Sequence, residues 1–218
     1  PNDANTLRGL QILRSKADSY SLTRDQDVFL AKIDAELSAA HRLSLRYNHQ
    51  DFEGANNENS GATSALEHTG SSNVLTRTAN LSLTSIFGGS IYNEARVQWA
   101  KDQEPGEANS NDPEVNVRQG GQTVLIFGRN FFSPRETTIE RNQIADTVSM
   151  SRGDHTFKVG FDINQDDILN FFPGNFGGRY FFNSIGGLGT GRPNQPGESY
   201  QQAFAQAELI KGGTVDAT

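Results

Sequence analysis

Three neighbouring residues, Ser151, Asp154 and His155, carry the side chains that hydrolases use as nucleophile, acid and base. They lie in the segment SRGDH, whose glycine and aspartate are typical of a tight turn. A catalytic triad needs a spatial arrangement that neighbours on one turn rarely provide. The sequence also lacks the G-x-S-x-G and H-E-x-x-H motifs. We therefore predict that the chain is not an enzyme and that it has no catalytic residue.

Acidic and glycine-rich segments are candidates for cation or phosphate sites. The segment 162–167 has the acidic character of a calcium loop but lacks its sixth-position glycine and terminal glutamate. The acidic segment 102–114 could hold calcium at an outer surface, although a charged loop is the simpler interpretation. Segment 186–191 lacks the Lys-Ser/Thr ending of a phosphate-binding loop. The prediction is that there is no metal site and no cofactor.

Aromatic side chains in the polar parts of the chain are the remaining candidates for ligand contact. They come in adjacent pairs or a triplet. Neighbouring residues of a strand point to opposite faces, so two adjacent rings cannot both lie on its apolar face. One member of each pair either packs within the loops or offers a flat surface on which a sugar or peptide can stack. The predicted ligand-binding residues are Phe131, Phe132, Phe171, Phe172, Tyr180 and Phe181.

The elements that must position these residues are strands. Alternation is clearest at positions 155–164, where the odd positions are His155, Phe157, Val159, Phe161 and Ile163 and the even ones are polar or glycine. This pattern predicts a strand with one apolar face and one polar face. A turn at 151–154, where Gly153 can take a positive φ, joins it to an upstream strand. The two strands form a predicted β-hairpin.

The same pattern recurs and predicts three hairpins. The predicted strands are 28–37, 41–50, 73–85, 90–101, 138–150 and 155–165, with short turns at 38–40, 86–89 and 151–154. Segment 28–37 also fits a helix, because Phe29, Ile33 and Leu37 are four residues apart. We favour the strand because the alternating segment 41–50 follows it directly and would pair with it.

Long polar segments separate the hairpins. Segments 51–72 and 102–114 are predicted to be long loops, and 121–135 is predicted to be a folded part of the loop side rather than a further crossing. Short turns alternating with long loops are typical of membrane barrels, whose strands need about nine to eleven residues to cross. The predicted fold class is all-β, with antiparallel up-and-down hairpins that form a segment of a transmembrane β-barrel with long extracellular loops.

The chain divides into three parts. Residues 1–24 are predicted to be a connector or a short amphipathic helix, 25–200 a barrel wall segment, and 201–218 an incomplete C-terminal segment. Residues 200–210 fit either a strand or a short helix. Because the first residue is Pro1 rather than methionine, we interpret the sequence as a processed product or a piece of a longer protein.

Composition excludes several classes of protein. Only 34% of the residues are hydrophobic although 14 are phenylalanine, as expected when lumen-facing and loop residues dilute a lipid-facing surface. The alternative is an independent soluble β-rich protein that binds a ligand or acts as a hydrolase. A net charge of -7 without basic clusters argues against a nucleic-acid partner. The absence of cysteine excludes disulfides, and no apolar run is long enough for a transmembrane helix.

Three segments together resemble one family. FLAKIDAELSAAHRLSLRYNHQ, SRGDHTFKVGFDIN and FFPGNFGGRYFFNSI resemble the barrel of TonB-dependent outer-membrane receptors, specifically the Oar-like group, over residues 25–200. The resemblance implies a bacterial outer-membrane location, contact with outer-membrane lipid, and import of an extracellular ligand driven by the TonB complex acting through a plug domain. No plug or TonB box is visible in the sequence, and six strands could form only part of such a barrel.

Overall fold

The computed structural model describes residues 3–201, which form two α-helices, two short 3-10 helices and ten strands. The α-helices are α1 (Ala4–Lys16) and α2 (Ile185–Thr190), and the 3-10 helices are Leu66–His68 and Gly174–Gly177. The strands are β1 (Thr23–Ser38), β2 (His41–Glu58), β3 (Gly70–Phe87), β4 (Ile91–Ala108), β5 (Glu114–Gln119), β6 (Gln122–Phe127), β7 (Arg135–Arg152), β8 (His155–Phe171), β9 (Arg179–Phe182) and β10 (Ser199–Gln201).

Six long strands form one antiparallel sheet in the order β1-β2-β3-β4-β7-β8. The predicted hairpins correspond to the pairs β1–β2, β3–β4 and β7–β8. Segment 28–37 lies inside β1, so the helical alternative for it is wrong. The predicted all-β, up-and-down architecture is confirmed.

The strands extend beyond their predicted limits on the loop side. β2 continues to Glu58 and β3 begins at Gly70, so half of the loop predicted at 51–72 is strand. β4 likewise continues to Ala108, and β8 continues to Phe171. Backbone hydrogen bonds join two strands whether or not their side chains alternate. The end of the alternation therefore marks where the two faces stop differing in polarity, not where the strand stops.

Short turns close the three hairpins at one end of the sheet. Arg152 pairs with His155, which leaves a two-residue turn, and Gly153 in this turn has a φ of 60°. A side chain in this left-handed region would strain the backbone, which explains the glycine.

One residue from each long strand contributes to a continuous apolar row across the sheet. In register order the row is Ile33, Leu45, Leu81, Val97, Ile144 and Ile163. The adjacent row on the other face is Lys32, Arg46, Asn80, Gln98, Gln143 and Asn164. No described residue covers the apolar row, whose side chains are between 42% exposed at Leu81 and 64% exposed at Ile33. The sheet thus has an uncovered apolar face and a polar face.

The apolar face ends abruptly towards the loop side. The last row before the boundary contains Tyr47 and Trp99, and the next row contains His49, Arg77, Lys101, Glu140 and Asp167. In β4 the residues on this face from the turn to the boundary are Ile91, Asn93, Ala95, Val97 and Trp99, a span of nine residues in which Asn93 is the polar exception. This length fits the roughly nine to eleven residues that a tilted strand needs to cross a bilayer.

The loop end of the sheet carries a small folded unit, here called the loop-end subdomain, made of α1, α2, β5, β6, β9, β10 and the 3-10 helix Leu66–His68. Its strands form a second sheet in the order β10-β9-β5-β6, in which β5 and β9 are parallel. β5 and β6 form a separate hairpin, so the prediction that 121–135 is not a further crossing is confirmed. The apolar core of this subdomain contains Leu13, Ala65, Val117, Leu125, Phe127, Phe182 and Leu188.

The two α-helices pack directly on each other in this subdomain. α1 lies within the segment 1–24 and begins where the Asp3 carboxylate accepts a 2.7 Å hydrogen bond from the backbone N–H of Thr6. A Cβ atom at Gly9 would overlap the backbone of Ile185, and one at Gly189 would overlap the backbone of Asn5. Glycine in α2 therefore serves close helix packing.

Neither α-helix in residues 3–201 is long and apolar enough to cross a membrane. β10 is the last described element, and the predictions for the remainder of 201–218 lie outside the described residues.

Candidate functional site

The small sheet of the loop-end subdomain has two different faces. In β5 and β9, Val117 and Phe182 are neighbours and point into the apolar core. The residues of opposite parity, Glu114 and Arg179, are also neighbours and lie on the other face. This second face carries the candidate site.

Arg179 lies at the centre of the site. Its Nη2 and Nε atoms are 2.6 Å and 2.7 Å from Glu114 Oε1. Its guanidinium carbon is 4.7 Å from the centre of the Phe131 ring and 5.0 Å from that of Phe181. An arginine held by both a carboxylate and two aromatic faces has little freedom to move, so it fixes the position of both rings.

Glu114 is buried, with a side chain that is 1% exposed. Burial raises the pKa of Glu114, and the charge and hydrogen bonds of Arg179 oppose this shift. Removing the arginine would leave a carboxylate in a dry environment, which typically costs about 3–5 kcal/mol. Arg179 is therefore required for the folded form of this face.

His68 lies next to this ion pair, with its Nδ1 atom 3.9 Å from Glu114 Oε2. Burial lowers the pKa of His68 to about 4, because desolvation disfavours the imidazolium form. The ring is therefore neutral at pH 7 and forms no ion pair with Glu114.

The structure brings four of the six predicted ligand-binding residues together. The rings of Phe131 and Phe132 are 4.0 Å apart, and the ring of Phe172 is 6.0 Å from Phe132. Phe181 joins them through Arg179. We call this group, with Arg179 and Glu114, the Arg179 cluster. Phe132 is 41% exposed and presents the cluster to solvent.

The other two predicted residues lie elsewhere. Tyr180 is on the core side of β9, with its ring 4.6 Å from that of Tyr200. Phe171 ends β8 and is exposed. The alternation of RYFF in β9 separates Tyr180 from Phe181, because neighbouring residues of a strand point to opposite faces.

Two concave surfaces lie outside the Arg179 cluster, and neither is lined by a residue of that cluster. A mostly apolar groove of about 420 Å³ is lined by Ile12, Pro113, Val115, Phe127, Tyr180, Phe182, Leu188 and Gly191. A polar cleft of about 580 Å³ is lined by Ser15, Lys16, Asp18, Asn56, Leu66, Glu67 and Asn109. The sequence did not predict either surface. Their residues come from segments far apart in the chain, and only Tyr180 is among the predicted ligand-binding residues.

The Ser, Asp and His residues considered as a triad lie at the turn end of the sheet. Ser151, Asp154 and His155 are exposed at the turn between β7 and β8, and the His155 ring lies 6.3 Å from that of Phe157. Among residues 3–201 there is no group of three or more His, Cys, Asp or Glu side chains that could hold a metal ion.

Comparison with known proteins identifies a family. A family model described as an outer membrane beta barrel domain matches residues 1–209. Neither the search of curated proteins nor the search of solved structures found a significant match. The family match and the exposed apolar row both argue against the alternative of an independent soluble β-rich protein.

Proposed function

The chain belongs to the outer membrane beta barrel domain family, and from this premise we propose that it is part of a TonB-dependent transporter or receptor that binds and imports a ligand. The family places the chain in the bacterial outer membrane. The apolar face then contacts outer-membrane lipid, and the polar face lines the lumen.

The open sheet supports a wide barrel. Among the described residues, β1 and β8 each pair with one neighbour only and do not pair with each other. An open strand edge is not tolerated in hydrocarbon, because its N–H and C=O groups would be left without partners. The six strands therefore form part of a larger wall, as in the plugged transporters with 22 strands.

The segments that resemble TonB-dependent receptors lie in the wall and at its loop end. FLAKIDAELSAAHRLSLRYNHQ forms most of the β1–β2 hairpin. SRGDHTFKVGFDIN forms the turn between β7 and β8 and the first part of β8. FFPGNFGGRYFFNSI runs from the end of β8 through β9 into α2. The third segment contributes Phe172, Arg179 and Phe181 to the Arg179 cluster.

The Arg179 cluster is the observation that carries the ligand-binding part of the proposal. It lies beyond the charged row that ends the apolar face, which places it on the side of the long loops. A rigid group of rings with an exposed Phe132 suits stacking against a sugar or a peptide. The TonB complex would act through a plug region, and the chain itself would carry no catalysis.

The test uses the full polypeptide purified in detergent. Its association with the isolated periplasmic domain of TonB is measured first, and binding is expected. A mixture of tryptic peptides and a mixture of oligosaccharides are then passed over the immobilised protein, and retained molecules are identified by mass spectrometry. Phe132→Ala should reduce retention, whereas Phe87→Ala, which removes an exposed ring at the opposite end of the sheet, should not. Absence of TonB association, or equal retention by both variants, would contradict the proposal.

A further inference from the structure

Three basic side chains surround a shallow cavity on the polar face of the long sheet. Lys32, Arg46 and Arg96 come from β1, β2 and β4. The cavity has a volume of about 390 Å³, and its other lining residues are Ser44, Asn80, Leu81, Ser82, Glu94, Val97 and Gln98. Hydroxyl and amide groups therefore lie among the cations.

The strand register explains why these groups converge. Lys32 and Arg46 are direct partners in the β1–β2 pair. Arg96 pairs with Ser82, which in turn pairs with Ser44, so it lies one row nearer the turns on the same face. Like charges on directly opposite residues repel each other, and the folded sheet holds Lys32 and Arg46 in this arrangement. An anion placed between them would relieve the repulsion.

The carboxylates nearby do not neutralise all three cations. Lys32 Nζ is 2.8 Å from Asp34, whereas Arg96 is 3.7 Å from Glu94, which is too long for a hydrogen bond. Arg46 donates a 3.2 Å hydrogen bond to the Asn48 amide. Within residues 3–201, Arg46 has no carboxylate within ion-pair distance.

We infer that this cavity binds the oxyanion group, carboxylate or phosphate, of a small solute on the lumen side of the wall. Guanidinium groups match the geometry of both oxyanions, and serine and amide donors complete their coordination. The inference rests on the proposed transport function, because it concerns the path that an imported solute follows. It adds that the solute carries negative charge.

Arg141 provides a matched control on the same face. It is already neutralised, because its Nε and Nη2 atoms donate hydrogen bonds of 2.6 Å and 3.3 Å to the two carboxylate oxygens of Asp166. Arg141 is also outside the cavity. Replacing it by glutamine removes one positive charge from the lumen wall without touching the proposed site.

The experiment is isothermal titration of the full polypeptide in detergent at low ionic strength, with citrate and with inorganic phosphate as separate probes. Arg46→Gln should weaken binding by about tenfold, as expected for the loss of one charged donor, and Arg141→Gln should change it less than about twofold. Binding of citrate alone would assign a carboxylate solute, and binding of phosphate alone a phosphorylated one. Lys32→Gln and Arg96→Gln provide further variants if Arg46→Gln does not fold.

The inference is wrong if the wild type binds neither probe, or if the Arg46 and Arg141 variants weaken binding equally. The measurement contains no TonB, so its outcome is separate from that of the proposed function. Probe binding without TonB association would leave the oxyanion site standing and overturn TonB-dependent transport. TonB association without probe binding would support TonB-dependent transport and overturn the oxyanion site.

Discussion

Trp99 donates its indole N–H to the Glu140 carboxylate over 3.1 Å, across the pair formed by β4 and β7. Trp99 belongs to the last row of the apolar face, and Glu140 belongs to the charged row beyond it. The ring thus lies in apolar surroundings while its polar atom reaches towards water. Tryptophan is enriched at membrane interfaces for this reason.

Trp99 should lie at the depth of the lipid headgroup boundary. Trp99→Phe removes one fluorescence component, and this component should be quenched more by bromine near the glycerol backbone than by bromine at the acyl chain ends. The measurement is the difference spectrum between wild type and Trp99→Phe in brominated vesicles. Val97→Trp in the Trp99→Phe background is the control, and bromine at the chain ends should quench it more strongly. The reverse order would contradict the assigned boundary.

The faces of β4 can be tested with one charge at two neighbouring positions. Val97→Arg places the charge in the central apolar row, which should cost about 2–4 kcal/mol of unfolding free energy at the bilayer midplane. Gln98→Arg places it on the polar face, beside the cavity lined by Arg46 and Arg96, and should cost less than about 1 kcal/mol, because water and salt screen the repulsion between exposed charges. Urea unfolding in lipid vesicles provides both values. Equal losses of unfolding free energy in the two variants would contradict the assignment of one face to lipid and the other to the lumen.

The loop-end subdomain should lose stability in acid through His68. The pKa of His68 is about 4 in the folded chain and 6.5 in the absence of the fold. Because the unfolded form binds the proton more readily, stability is complete above pH 6.5 and falls as the pH drops towards 4. The loss reaches about 3 kcal/mol.

Hydrogen exchange of β5 and β6 between pH 7 and pH 4, corrected for the intrinsic pH dependence of exchange, measures this effect. His68→Gln cannot take up the proton and should flatten the profile over this range. An unchanged profile would show that another group is responsible.

Packing of α1 on α2 should depend on Gly9. A Cβ atom there would overlap the Ile185 backbone, so Gly9→Ala should destabilise the subdomain by roughly 1–3 kcal/mol. At Gly61 the nearest atom to an added Cβ is Ser64 Oγ at 3.8 Å, an ordinary contact, and Gly61→Ala serves as the control. Limited proteolysis at α1 measures the difference. Similar cleavage rates in both variants would show that the close helix contact is not needed.

The part of the fold that sequence could predict is the part in which the sheet has one apolar and one polar face. The proposed contact with lipid on one side and lumen on the other accounts for the alternation at 91–99 and 155–164. Beyond the charged row the two faces no longer differ in this way, so the continuation of β2 to Glu58 leaves no such pattern. Backbone pairing there is set by the partner strand alone.

The sequence predicted which aromatic residues form the candidate site, but not how they are arranged in space. Adjacent aromatic residues identified Phe131, Phe132, Phe172 and Phe181, yet the residues that hold them were missed. Glu114 and Arg179 are 65 positions apart and meet only because β5 and β9 pair in parallel. No local pattern encodes such a pair. Alternation within β9 could have separated Tyr180 from Phe181, had that strand been recognised.

The loop-end subdomain draws on four parts of the chain: before β1, between β2 and β3, between β4 and β7, and after β8. Ala65 N–H bonds to Ile126 C=O over 2.9 Å, and Lys16 pairs with Glu67 over 2.8 Å. The entropic cost of bringing such distant segments together falls once the intervening hairpins stand side by side. We therefore expect this unit to form last during biogenesis, so that its completed core reports that every strand of the wall has been placed in the correct order.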